Sequence, residues 1–198
     1  MRSVFALASA VLFLALSLVS AQAAPSAQRF GSFVVFPSTD YIMLDGDLND
    51  RAVSDFRRAL KARPNAKLLV LRSAGGYVDV GLDVAAMVRS RGLSTAVPSN
   101  MHCFSACTYI FFAGRDHVVT GKLGVHRVGE ADGSASAGAD AYYRSVKGQI
   151  QRFVPKNVIK YMESTPSTSM HVFSRKEINA LSINKGASGS FARQFASM

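Results

Sequence analysis

The residues His102 to Gly114, HCFSACTYIFFAG, decide the reading of this chain. Ser105 stands between Cys103 and Cys107, and a nearly continuous apolar run from Tyr109 to Ala113 follows. That composition predicts a short helix buried in a core, with its first turn at a surface. Ser105 then lies at a helix start, where unbonded backbone N–H groups and the positive end of the helix dipole favour developing negative charge. Two readings stay open there: a nucleophilic serine, or an N-cap serine whose hydroxyl accepts from the helix backbone.

Upstream, Leu68 to Leu71 is apolar without alternation, as in a parallel strand covered on both faces. It runs into Arg72-Ser73-Ala74-Gly75-Gly76. An amphipathic helix follows, with Val80, Val84, Met87 and Val88 inward and Gly81 and Ala85 allowing close approach. Leu93 to Val97 is another strand. Before these, Phe33 to Phe36 and Tyr41 to Leu44 read as strands, and Leu48 to Leu60 as a helix whose outer face carries Arg51, Arg57, Arg58 and Lys61. Strands alternating with helices in this order imply βαβ units with right-handed crossovers.

Downstream, residues 117–120 and 123–126 read as two short strands separated by a glycine turn. Residues 129–141, GEADGSASAGADA, read as a mobile loop. Helices are expected over Tyr142 to Phe153 and Pro155 to Met162, and a last strand over Met170 to Phe173. Ser174 to Glu177 has capping-box spacing ahead of Ile178 and Leu181.

Met1-Arg2, the apolar run Val4 to Val19 and the small-x-small Ala21-Gln22-Ala23 read as a signal peptide over residues 1–23. Export to the periplasm or outside follows as the expectation, with no stable membrane insertion after cleavage. Residues 24–32 read as a leader, 33–184 as one α/β domain and 185–198 as a flexible tail. Three residues lie between the two cysteines, close enough for a disulfide that would pin the Ser105 turn, with two buried thiols as the alternative. A metal site lacks partners beyond His102. The formal charge is +10, from 23 Lys and Arg against 13 Asp and Glu. Without aromatic residues interleaved among them, these basic residues do not form a single-strand nucleic-acid surface.

Adjacent glycines let a backbone present N–H groups to a ligand, which is how an oxyanion hole is made from main chain. Here Gly75-Gly76 precedes Ser105, and His126, at the end of a later strand, has the pKa of a general base. These residues carry a likeness. The stretch Ile42 to Phe195 resembles the fold family shared by the Clp protease proteolytic subunit and the crotonases, and is most similar to it over Ile42 to His126. Ile42-Met43-Leu44-Asp45-Gly46-Asp47-Leu48 is similar to the family's opening strand and turn. Ser73-Ala74-Gly75-Gly76-Tyr77-Val78 with Gly81 resembles its Ser-Pro-Gly-Gly-x-Val motif, and Ser105 with Ala113-Gly114 its nucleophile segment.

The resemblance implies a ClpP/crotonase-like fold, with repeated β-β-α units and a mostly parallel sheet. It implies Ser105 as nucleophile, His126 as base, and the N–H groups of Gly76 and Ala106 as oxyanion donors. A peptide or protein substrate, a homo-oligomer, and no cofactor or metal are also implied. Several positions depart from the family pattern. Alanine replaces proline at 74, Cys103 and Phe104 replace glycine and alanine, and the interval from Ser105 to His126 is shorter. The family's third member, an aspartate, would fall near Glu163-Ser164-Thr165-Pro166. Glu163 is the nearest carboxylate, and Asp140 lies on the stretch after His126. The expected function is a periplasmic serine hydrolase of peptide bonds. The rivals are a non-catalytic binding or scaffold module, and a crotonase-type thioester enzyme, which needs a coenzyme A that an exported protein does not meet.

Overall fold

The computed structural model describes residues 26–186 apart from Ser38 and Ala131. The expected signal peptide, and the expected tail beyond residue 186, lie outside the described residues. In chain order the strands are β1 (Gln28–Phe30), β2 (Phe33–Val35), β3 (Tyr41–Asp45), β4 (Leu68–Arg72), β5 (Ser94–Val97), β6 (His102–Phe104), β7 (His117–Val119), β8 (Lys122–Val125) and β9 (His171–Val172). The helices are α1 (Ala52–Ala62), α2 (Val78–Ser90), α3 (Cys107–Ala113), α4 (Ala137–Ile150), α5 (Lys156–Ser164) and α6 (Arg175–Ala180).

A six-stranded sheet has the order β1-β2-β3-β4-β5-β7, parallel from β3 onward. A three-stranded sheet, β6-β8-β9, stands beside it, with β6 and β8 parallel. The units β5-β6-α3 and β7-β8-α4 each give their first strand to the large sheet and their second to the small one. This is a mixed α/β fold of repeated β-β-α units with mostly parallel pairing.

β4 shows why its sequence is apolar throughout. Leu69 and Leu71 enter the main core with Phe56 of α1 and Val84 of α2, while Leu68 and Val70 join a smaller cluster with Val34, Met43, Ala96 and Val118. At the end of β3, Asp45 accepts from Arg72 at 2.6 Å and from Arg29 at 2.9 Å. The Arg72 hydrogen bond, aided by Arg29, holds the Asp45 carboxyl down at about 2. This ties β1 and β4 to one carboxylate.

The expected boundaries shift in three places. Part of the leader, residues 28–30, is strand β1, paired antiparallel with β2, because the turn at Gly31 returns the chain onto the sheet. The domain extends past 184: His117 and Lys185 exchange backbone hydrogen bonds of 3.0 and 2.9 Å. The expected loop ends early, since Ser136 caps α4 by accepting from the Ala139 N–H at 2.9 Å. The capping box of Ser174 and Glu177 is formed as the sequence predicts. No helix among the described residues is long and apolar enough to cross a membrane.

Candidate active site

Three strand ends meet in register. Ser73, just past β4, pairs with Cys103 of β6, which pairs with Leu123 of β8. The Ser73 N–H donates to the His102 carbonyl at 2.9 Å, and the Phe104 N–H to the Ser73 carbonyl at 3.0 Å. The residues that follow these ends are Gly75-Gly76, Ser105 and His126. Carboxyl ends of parallel strands are where open α/β sheets place their ligands.

Ser105 has φ +54°, in the left-handed region, which costs an L-residue about 1–2 kcal/mol. The position is held from several sides. The Ser105 N–H donates to the Gly124 carbonyl at 3.0 Å, and its own carbonyl accepts from the Thr108 N–H at 2.9 Å and the Thr108 hydroxyl at 2.7 Å. Ala106, not Ser105, occupies the N-cap of α3, with no side-chain cap. The Ser105 hydroxyl has no hydrogen-bond partner among the described residues, so the N-cap reading does not describe it.

Glycines let the neighbouring backbone close on this turn. At Gly75, φ +109°, a Cβ would lie 2.8 Å from Ser105 Cβ and 3.2 Å from Ala106 N. At Gly76, φ +135°, it would lie 2.4 Å from the Leu48 carbonyl oxygen. Gly81 of α2 approaches the Ala106 carbonyl equally closely, with 2.9 Å left for a Cβ. The Gly75 N–H is taken by Ser73 Oγ at 3.1 Å. Among the described residues, the N–H groups of Gly76 and Ala106 donate to no acceptor. Cys103 and Cys107 form a disulfide with Cα atoms 5.3 Å apart, both fully buried, and so bracket Ser105.

His126 follows β8 directly, two positions past Gly124, the partner of Phe104. Neighbouring strands run about 4.8 Å apart, so the register brings Ser105 and His126 to adjacent strand ends. Burial pushes the His126 imidazole below its ordinary value, while the Arg127 backbone pulls the other way. The ring is therefore neutral at neutral pH. Its Nδ1 is buried with no hydrogen-bond partner among the described residues.

Glu163 does not supply that partner. Its carboxylate accepts from Lys147 and from the Tyr143 hydroxyl, each at 2.6 Å. The Lys147 hydrogen bond, then the Tyr143 one, lowers its pKa. Both partners project from α4, so Glu163 clasps α5 to α4. Asp140 is on α4 and lies 3.9 Å from Arg127. The structure thus packs the Gly75-Gly76 turn against Ser105 and Ala106, puts His126 past the end of the neighbouring strand β8, and engages Glu163 elsewhere. Among the described residues no group of His, Cys, Asp or Glu could hold a metal ion.

The sequence reading did not identify the cleft beside Gly76, of about 630 Å³. Its lining includes Gly76-Tyr77-Val78, Val128-Gly129-Glu130 and Tyr142 of α4. The small residues of 129–141 concealed it, since a polar low-complexity stretch gives no signal that it forms a wall.

No family model matches the sequence, and no curated protein matches it. Among solved structures, the chain is similar to ClpP1 from Listeria monocytogenes, with a TM-score of 0.54 and 13% identity over 73% of this chain and 88% of that one. A point variant of the same protein matches at 0.49 and 14% identity, over 73% and 88%. A variant of the membrane-bound stomatin-specific protease 1510-N matches at 0.45 and 13%, over 73% and 75%. The match to ClpP1 at a TM-score of 0.54 shows that the chain has a ClpP-like fold.

Proposed function

We propose that this chain is a serine peptidase that works with a Ser105–His126 pair and a backbone oxyanion hole. The observation that carries the reading is Ser105 in left-handed backbone with its hydroxyl unclaimed, pressed against a glycine turn whose next N–H is free. Backbone strain of this kind persists only where the surroundings over-determine it, and it concentrates at active sites.

In the reaction, Ser105 Oγ attacks the peptide carbonyl carbon while His126 takes the hydroxyl proton. The N–H groups of Gly76 and Ala106 hold the resulting oxyanion. The C–N bond then breaks, and His126 returns the proton to the leaving amine. Water repeats the cycle: His126 takes its proton, the hydroxide oxygen bonds to the acyl carbon, and Ser105 leaves with the proton restored. No metal or cofactor enters this scheme. The substrate is a peptide or protein segment that lies extended in the cleft between Tyr77 and Val128. Export to the periplasm is part of the proposal, supported by the sequence of residues 1–23 and by a disulfide suited to an oxidising compartment.

One observation favours a second reading. His126 Nδ1 lacks an acceptor, and a triad without its orienting carboxylate is slower by about 10⁴-fold. A binding module that kept the fold would tolerate that loss. Hydrolysis of a quenched-fluorescence peptide library by the mature protein, beside Ser105→Ala, separates the two. Cleavage that disappears in the variant supports the peptidase. Peptide binding without cleavage in either protein supports the module.

A further inference from the structure

We infer that the cleft beside Gly76 selects a substrate segment bearing a Lys or Arg side chain. The inference deepens the peptidase reading and rests on it for the identity of the cleft. Two independent features point to a cationic occupant. The first is charge: the lining contains Asp47, Asp79 and Glu130 and not one Lys, Arg or His. In a chain of net charge +10, such a lining runs against the overall balance. The carboxylates of Asp45, Asp55, Asp116, Asp140, Glu163 and Glu177 lie in ion pairs, whereas those of the three cleft acids lie in none among the described residues.

The second feature is aromatic. Three large apolar side chains are left exposed among the described residues, and two of them, Tyr77 at 54% and Tyr142 at 40%, line this cleft. Two exposed tyrosines in one lining offer a ligand aromatic surface. A Lys or Arg side chain satisfies both features together. Its methylene stem covers apolar ring surface while its cationic head meets the carboxylates and the ring quadrupole. An acidic side chain would be repelled by the lining, and an aliphatic one would leave the carboxylates unused.

The position of the cleft connects this to catalysis. Gly76 belongs to the lining and is also a proposed oxyanion donor, so a side chain held by Asp79 and Glu130 belongs to a residue close to the scissile bond.

The test uses the folded mature protein with Ser105→Ala, so that binding is read without turnover. Fluorescein-labelled peptides that differ only in a central Lys, Leu or Glu are titrated by anisotropy. The expected result is preference for Lys over Glu by about fivefold, the upper end of what one exposed ion pair contributes. The preference falls as salt is raised. Asp79→Lys with Glu130→Lys inverts it, and Asp40→Asn, at the opposite end of the sheet, leaves it unchanged. Equal binding of all three peptides, or preference for Glu as the net charge alone would give, overturns the inference. Because the protein carries no nucleophile, these outcomes do not depend on whether Ser105 is catalytic. Library cleavage by the unmodified protein decides that question separately.

Discussion

The turn at Ser105 and the clasp at Glu163 are both polar and oppositely finished. At Ser105 the backbone is fixed from several sides while the hydroxyl and two nearby N–H groups have no partner among the described residues. At Glu163 the carboxylate is taken up by Lys147 and Tyr143, and the side chains close a helix pair. A folded protein satisfies its polar groups where they only stabilise, and each unsatisfied group calls for an explanation. The contrast supports the proposal of Ser105 as the reacting position and gives Glu163 a structural role.

The largest effects test the first half of that contrast. Ser105→Ala is expected to lower peptide hydrolysis by about 10³-fold or more, and His126→Ala by about 10²–10⁴-fold, both with Tm nearly unchanged. Next comes the glycine that closes on the turn. Gly75→Ala forces a Cβ to within 2.8 Å of the Phe104 carbonyl oxygen in left-handed backbone. It should cost about 2 kcal/mol or more in urea unfolding.

The pH dependence is intermediate in size. His126 acts as a base when neutral, and burial lowers its pKa from the ordinary 6.5. Hydrolysis is therefore on at neutral pH and falls on acidification, with an inflection below 6.5 in kcat/KM against pH. Folding stability moves the same way. Burial also depresses His117, so the unfolded chain takes up protons first as pH falls through 6.5, and stability is lost below that point.

Two smaller effects sharpen the comparison. Ser105→Gly removes the Cβ from a left-handed residue and should leave stability unchanged or raise it by up to about 1 kcal/mol, measured by thermal unfolding. A serine serving as a helix cap would lose about 0.3 kcal/mol or more instead. Glu163→Gln should change hydrolysis by less than about threefold and stability by less than about 1 kcal/mol. A carboxylate that oriented His126 would cost about 10⁴-fold on such a change, so the two roles separate clearly.

Much of this was legible in the sequence, for identifiable reasons. β4 is apolar on both faces, Gly75-Gly76 and Ser105 stand at turns, and the Ser174 to Glu177 spacing forms its capping box; all are local patterns. The short strand β6 was hidden because its three residues, His102–Phe104, read as the approach to a helix. The strand β1 lacked periodicity over three residues, and only its pairing with β2 makes it a strand. The role of Glu163 depends on Lys147 and Tyr143, sixteen and twenty residues away on another helix, so no spacing rule reaches it. The acidic and aromatic lining of the cleft is assembled from four separate segments, and it becomes visible only when they fold together.

The most direct test of the central claim is intact-protein and peptide mass spectrometry of the mature protein after treatment with a fluorophosphonate, beside folded His126→Ala. The account predicts a single adduct on Ser105, formed at least about 10²-fold more slowly in the variant. No adduct in the folded protein, or equal rates in the two, would contradict an activated Ser105.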